Sequence, residues 1–490
     1  MNIQSFPLFN ATRLSGVLGI AGLVLTLSLP GPEGLSPEAW RALGLTWLMA
    51  VFWIAETLPL AVTALLPIVL GPALGLASPS GATRDYAHPL IFLFLGGFVL
   101  GLAMERWHLH ERIALWILSV VGGTAQREIA GFMVATAFLS MWVSNTATSI
   151  MMLPIALSVI QVRTDKNALE GNPYAVALLL AVAYAASIGG IATLIGTPPN
   201  ALLAAYLSDQ HQIELGFGEW MLIGLPVSAV MLTLAWFWLS QVVARGKTGG
   251  IEKDTSPSST GRSMFRERLS AQGPLTRMEK RVALVFLLTA AAWITQPFLA
   301  QWLPEDTLTD TGIAIACAIA LHLLPAGDGE NRLMNWETSQ KLPWGVLLLF
   351  GGGLALAGII QDSGLAQAIA SALEHLDRWP TVAIVATVTI TVIFLTEVTS
   401  NTATAAAFLP LLGALALALG LPPEALAVPA AIAASCAFML PVATPPNAIV
   451  FGSGQLTVRQ MASAGLALNL MGATLVTAVG TLLVYWGVFQ

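Results

Sequence analysis

Apolar runs long enough to cross a lipid bilayer recur along almost the whole chain, and no other feature restricts its fold so severely. Stretches such as LIFLFLGGFVLGLAM at 90–104 and VALVFLLTAAAWI at 282–294 lie in segments that approach the roughly 20 residues a helix needs to span about 30 Å of hydrocarbon. In that solvent each backbone N–H and C=O must be paired within the protein, so an all-α polytopic membrane protein is expected. Composition agrees: charged residues make up 10% and hydrophobic residues 56% of the 490, against about 25% charged residues in a soluble domain. The net charge of -6 is small and no basic stripe with interleaved aromatics occurs, so nucleic acid is set aside as a partner. Cys317 and Cys436 stand far apart in apolar stretches, without CxxC or Cys/His metal spacing, and read as buried small residues.

Arg13 precedes the first apolar run, which lacks a convincing small-residue cleavage site and is read as a transmembrane helix over about 13–30. Glu33 and Glu38 follow in an acidic loop. From Trp47, WLMAVFWIAETLPLAVTALLPIVLGPALGL is interrupted at Glu56, Thr57 and Pro59, where Glu56 is expected to cap a short helix. The stretch from Leu90 to Val121 begins as a membrane helix. Its second half, with Glu105, Arg106, His108, His110, Glu111 and Arg112, is expected to lie amphipathically at the interface. His108 and His110 lack the spacing of a zinc pair. Further crossings are expected near 217–243, 281–303, 309–325 and 460–488. Between the halves, residues 244–280 are rich in Gly, Ser, Thr and Arg and read as a linker. The positive-inside rule assigns that linker to the cytoplasm.

Two short strings are written twice. SNTAT at Ser144–Thr148 returns at Ser400–Thr404, and TPPNA at Thr197–Ala201 returns at Thr444–Ala448. Their common order and similar separation mark an internal duplication. FLGGFVLGLAMERWHLHERIA and LFGGGLALAGIIQDSGLAQAIA match more loosely; the three glycines at 351–353 are no phosphate loop, since no Lys-Ser or Lys-Thr follows, and are expected to permit close helix approach. Each cluster segment holds about 33 residues where two full crossings need about 40, so a re-entrant hairpin fits better. Counting crossings from a cytoplasmic linker then makes the repeats inverted, as in secondary transporters. The domain reading is an N-terminal helix and loop over 1–38, a first repeat over 39–243, the linker over 244–280 and a second repeat over 281–490. Hairpins are expected at about 128–160 and 380–418, and broken helices at about 172–212 and 424–456.

Each interruption leaves backbone N–H groups at one half-helix and carbonyls at the other without helical partners. N–H groups and hydroxyls suit an anion, while carbonyls and side-chain oxygens suit a small hard cation. Neither motif contains Lys or Arg, so positive charge for a bound anion is expected to arrive with it, as sodium would, although neutral donors alone can also hold an anion during exchange. Glu397, between Thr396 and the second cluster, is a functional candidate because carboxylates are costly inside a membrane. Its repeat partner is Met141, and it either orients the second hairpin by hydrogen bonds or titrates during transport.

SMWVSNTATSIMMLP with SIGGIATLIGTPPN, and TEVTSNTATAAAFLP with MLPVATPPNAIVFGSG, resemble the paired signatures of the divalent anion:sodium symporter family, the INDY-like di- and tricarboxylate transporters. The early pair WIAETLPLAVTALLPIVLGPALG resembles that family as well. The resemblance implies about 11 transmembrane helices plus two re-entrant hairpins, a scaffold and a mobile elevator domain, and a homodimer in the plasma (inner) membrane. N-terminus and linker would be cytoplasmic, with the C-terminus outside. It further implies a first sodium site from Ser140, Ser144, Asn145 and the Gly196 backbone, and a second from Thr396, Asn401 and the backbone near Thr399 and Ala443. Substrate carboxylates would meet Asn145, Thr146 and Thr197 from one half and Asn401, Thr402 and Thr444 from the other, with Pro198 and Pro445 shaping the walls. Thr197 stands where some members have Ser; its extra methyl bears on substrate size.

The function expected is sodium-coupled symport of C4-dicarboxylates such as succinate, malate and fumarate, with co-transported sodium and no organic cofactor. Rivals of the same fold are a sodium-independent dicarboxylate exchanger and a citrate or sulfate transporter. An intramembrane enzyme would need a nucleophile or metal ligands converging on a cavity. The paired motifs contain no His, Cys or Asp.

Overall fold

The computed structural model describes residues 8–121, 123–163, 172–244, 259–304, 307–327, 329, 331–372 and 379–486. Among them all regular elements are helical, apart from a single bridge between Pro325 and Arg332. Eight helices of this part are long and apolar enough to cross a membrane, and shorter apolar helices accompany them. The terminal residues 1–7 and 487–490 lie outside the described residues, as does the first part of the expected linker, 245–258.

Local capping moves several boundaries away from the apolar runs. Helix Pro37–Ile54 starts where Ser36 accepts the Ala39 N–H at 3.0 Å and Pro37 fills a position needing no donor. Glu38 therefore belongs to a first helical turn, paired with Arg41 at 3.0 Å, and not to a loop. After Ile54 the chain turns through Glu56, whose φ is 46°. The following helix Leu60–Thr63 begins at Pro59 without a side-chain cap, so Glu56 does not cap it. The expected helix over 90–121 is two helices, Pro89–Arg106 and Leu109–Val121, broken at His108 with φ 55°. His110 is buried with Nδ1 3.0 Å from the Met104 carbonyl, and desolvation pushes its pKa below the ordinary value. Among the described residues no group of three or more His, Cys, Asp or Glu is placed to hold a metal ion.

The linker reading is corrected for its second part. Ser259–Ala271 is a helix packed on Leu109–Val121, and its Phe265 is fully buried, edge-on to Phe132. Arg112 then fastens the turn that follows, reaching Glu279 Oε1 at 2.6 Å and the Gly273 carbonyl at 2.8 Å.

Two helices, Pro173–Gly190 and Glu424–Ala434, form the centre and are buried along almost their whole length. Against them lean the helix–turn–helix pairs Ala125–Ser140 with Asn145–Arg163, and Thr381–Thr396 with Asn401–Ala418. The base of the first pair is locked by the fully buried Glu128. It receives Arg163 through two nitrogens at 2.6 and 2.9 Å and the Tyr174 hydroxyl at 2.6 Å, a bidentate arrangement of fixed geometry.

Glycine sets the closeness of packing. A Cβ on Gly189 would lie 2.3 Å from the Ala137 carbonyl oxygen, and one on Gly352 would lie 2.3 Å from the Ala64 carbonyl oxygen. The three-glycine run thus admits a neighbouring backbone, as its sequence implied. Gly189→Val is expected to cost about 1–3 kcal/mol through overpacking against backbone that cannot rotate away. A thermal melt in detergent checks this; an unchanged midpoint would show that these helices do not meet as described.

Candidate anion and cation site

The first cluster is built on the turn between Ala125–Ser140 and Asn145–Arg163. Ser140, fully buried, donates to the Ala186 carbonyl at 2.7 Å and also contacts Asn145 Oδ1. The Asn145 amide faces the same carbonyl. With its nitrogen turned inward it donates to Ala186 O at 3.1 Å and Gly196 O at 3.3 Å. Turned the other way, its oxygen joins two carbonyls and a hydroxyl in one group of oxygens, an arrangement that a small hard cation satisfies. The second half repeats the bonds: Thr396 Oγ1 donates to Asn401 Oδ1 at 2.7 Å and to the Ala434 carbonyl at 3.1 Å. The glycines at the first break permit this density, because a Cβ on Gly190 would lie 2.9 Å from both Asn145 Oδ1 and Gly196 O.

Each central helix ends in a break, at 191–197 and 435–444, before a shorter helix begins at Pro198 or Pro445. The residue before proline is driven to extended backbone: Thr197 has φ −148°, ψ 141° and Thr444 φ −142°, ψ 150°. This changes one step of the chemistry expected from sequence. Two prolines open each of these helices, so the first two N–H donors are missing and the Thr hydroxyl is the polar group left there. The backbone donors come from the other starts, at Asn145 and Asn401, which head helices of 19 and 18 residues with the positive end of the dipole foremost. Ser144 caps the first of them, accepting the Ala147 N–H at 3.2 Å.

These parts surround one cavity of about 1070 Å³. Asn145, Thr146, Thr197, Pro198, Asn401, Thr402, Thr444 and Pro445 all line it, as do Ser144, Gly196, Thr399 and Ala443. Ser140 and Thr396 do not reach the wall; they sit behind it, fully buried. The Thr399 hydroxyl turns inward to Leu395 O at 2.9 Å and to Thr404 at 2.6 Å. Outside the motifs the wall carries charge that sequence reading did not place there, in Glu56, Glu105 and Lys341. Glu105 ends the helix Pro89–Arg106, while Glu56 and Lys341 lie in the turns after Pro37–Ile54 and Trp336–Ser339, a grouping that no periodicity could have brought together.

Glu397 resolves into a positioning group. Only 3% exposed, it accepts the N–H of Phe438 at 2.8 Å, of Met439 at 2.9 Å and of Leu440 at 3.0 Å, and the Asn469 amide at 2.7 Å. One carboxylate thus ties the second turn to the second break. In the first half that link is made differently, by the Thr193 hydroxyl to the Met141 carbonyl at 2.6 Å. Asn200 and Asn447 also emerge from the structure, each reaching back across its break to carbonyls on the far side. The signal for them was present, since both belong to the repeated TPPNA, but hydroxyls and prolines drew the attention.

Residues 11–489 match the family described as the sodium:sulfate symporter transmembrane region. A sodium-dependent dicarboxylate transporter, SdcS, of Staphylococcus saprophyticus is 42% identical over 96% of this chain and 91% of its own length. The protein of the same name from Staphylococcus aureus is 43% identical over the same shares. Among solved structures, the YdaH transporter of Alcanivorax borkumensis superposes with a TM-score of 0.63 at 15% identity, covering 97% of this chain and 98% of the other. MtrF of Neisseria gonorrhoeae superposes with a TM-score of 0.56 at 11% identity, over 97% and 95%. At such identities these two likenesses concern the fold alone.

Proposed function

The chain belongs to the sodium:sulfate symporter family, and from that premise we propose that it is an integral membrane transporter moving C4-dicarboxylates together with sodium. The observation that carries this reading is the duplicated oxygen cluster on one cavity. Asn145 meets Ser140 and the carbonyls of Ala186 and Gly196 at one helix start, and at the other Thr396 joins Asn401 to the Ala434 carbonyl. The motif side of that cavity holds no Lys or Arg. A dicarboxylate held by Asn145, Thr146, Thr197, Asn401, Thr402 and Thr444 would find neutral donors and positive helix ends, and sodium in the two clusters would supply the balancing charge. Anion and cations would then stabilise one another, which is the thermodynamic content of coupling.

The finer architecture follows from the same premise. About 11 crossings and two hairpins in inverted repeats would form a scaffold and a transport domain moving as an elevator in a homodimer. The N-terminus and the central segment would face the cytoplasm and the C-terminus the outside. The central helices with their two flanking pairs are the candidates for the moving unit, since the buried Glu128 network ties the first pair to its central helix and Glu397 ties the second pair to the break after its own.

Purified protein in liposomes, offered radiolabelled succinate with an inward sodium gradient, is expected to accumulate label only when sodium is present. Unlabelled malate and fumarate should compete; citrate and sulfate should compete weakly. Uptake that ignores sodium and instead requires internal dicarboxylate would overturn symport in favour of exchange.

A further inference from the structure

Asn200 and Asn447 hold equivalent places, three residues into the short helix after each break. Asn200 Nδ2 lies 3.1 Å from Gly190 O, 3.3 Å from Ile191 O and 2.8 Å from Thr193 O. Asn447 Nδ2 lies 3.3 Å from Ala437 O and 3.0 Å from Leu440 O. Both side chains are fully buried, and in both the Oδ1 atom has no protein donor. A residue recruited merely to stabilise a break would have little reason to leave the same buried acceptor unsatisfied twice, given what such a group costs. The donors have a definite effect. Those of Asn200 bind the carbonyls of Gly190, Ile191 and Thr193, and the carbonyls that face the Asn145 amide are those of Gly196 and Ala186. At Gly190 the two roles meet, because its carbonyl is bound by Asn200 while its Cα stands beside Asn145 and Gly196 O.

We propose that Asn200 and Asn447 are positioning residues that fix the number and spacing of oxygens in the two cation clusters, and so set which alkali cation each accepts. The inference rests on the sodium-coupled reading above. An amide that bonds two or three carbonyls at once closes the break to a fixed width. Removing its N–H donors frees those carbonyls to turn toward the cluster, which enlarges the oxygen cage and relaxes its preference for a small ion.

The test uses the full-length protein in liposomes, with Asn200→Asp and Asn447→Asp keeping size and shape, and Asn200→Ser and Asn447→Ser as smaller neutral variants should an aspartate variant fail to fold. Sodium and lithium are titrated at saturating succinate, and succinate at saturating sodium. The expected result is a rise of about tenfold in the sodium concentration for half-maximal uptake, equivalent to roughly 1.4 kcal/mol. A changed lithium-to-sodium ratio should accompany it, with a succinate KM within about twofold of the parent. An unchanged sodium dependence in folded variants would overturn the proposal. So would sodium and succinate dependences that worsen in parallel, since that is the mark of general loosening. If the parent protein itself takes up succinate without sodium, the proposed function fails first and by a different measurement.

Discussion

Asn145→Ala and Asn401→Ala are each expected to reduce sodium-driven succinate uptake to background while leaving a monodisperse, folded protein in detergent. Each amide stands at two interfaces at once. It lines the cavity at a helix start and completes the oxygen group with Ser140 or Thr396. On the proposed reading, alanine would remove one contact to the anion and one to the cation, and a hydrogen bond to a charged group contributes about 1.5–3 kcal/mol. A loss near 3 kcal/mol in the coupled complex already lowers affinity roughly 100-fold, and the mutual dependence of anion and cation compounds it. Folding should survive, because both side chains lie partly exposed at the cavity and not in the core. Near-normal transport by either variant would show that the two halves do not share one site.

Glu397→Ala should be the most destabilising substitution near the site. The carboxylate is the acceptor for three successive N–H groups at 438–440 and for Asn469. Alanine strands these donors, of which the Phe438 N–H and the Asn469 amide are buried. At about 1–3 kcal/mol for each buried group left unsatisfied, with partial relaxation, a loss on the order of 3–5 kcal/mol is expected. Thermal unfolding in detergent should begin well below the parent and uptake should vanish. Glu397→Gln, which keeps one acceptor oxygen, should recover part of the stability. A Glu397→Ala protein that melts with the parent would show that the break at 435–444 is held by something else, and the asymmetry between the halves would lose its explanation.

That asymmetry shows how far the sequence could be read. The duplication was legible because identical strings, SNTAT and TPPNA, recur in one order, and their chemistry followed from residue type. The prolines fixed the breaks as well, since extended backbone at Thr197 and Thr444 is dictated by the residue that follows each. Glu397 could be flagged as costly, but its partners lie some forty to seventy positions away in the chain, so its hydrogen bonds could not be assigned until the fold brought 438–440 to it. The helix Ser259–Ala271 was hidden for another reason. Its polar sequence resembles a linker, and its order comes from packing on Leu109–Val121 and of Phe265 on Phe132.

Local rules therefore determined the solvent, the helical class, the repeat and the four points where the backbone breaks, because bilayer length, proline geometry and side-chain chemistry act over a few residues. The tertiary structure alone decided that four breaks share one cavity, that Ser140 and Thr396 stand behind its wall, and that Glu56, Glu105 and Lys341 also line it. The physical reason is that proximity between distant segments depends on helix packing, and close packing is governed by where glycines such as Gly189 and Gly352 let backbones meet.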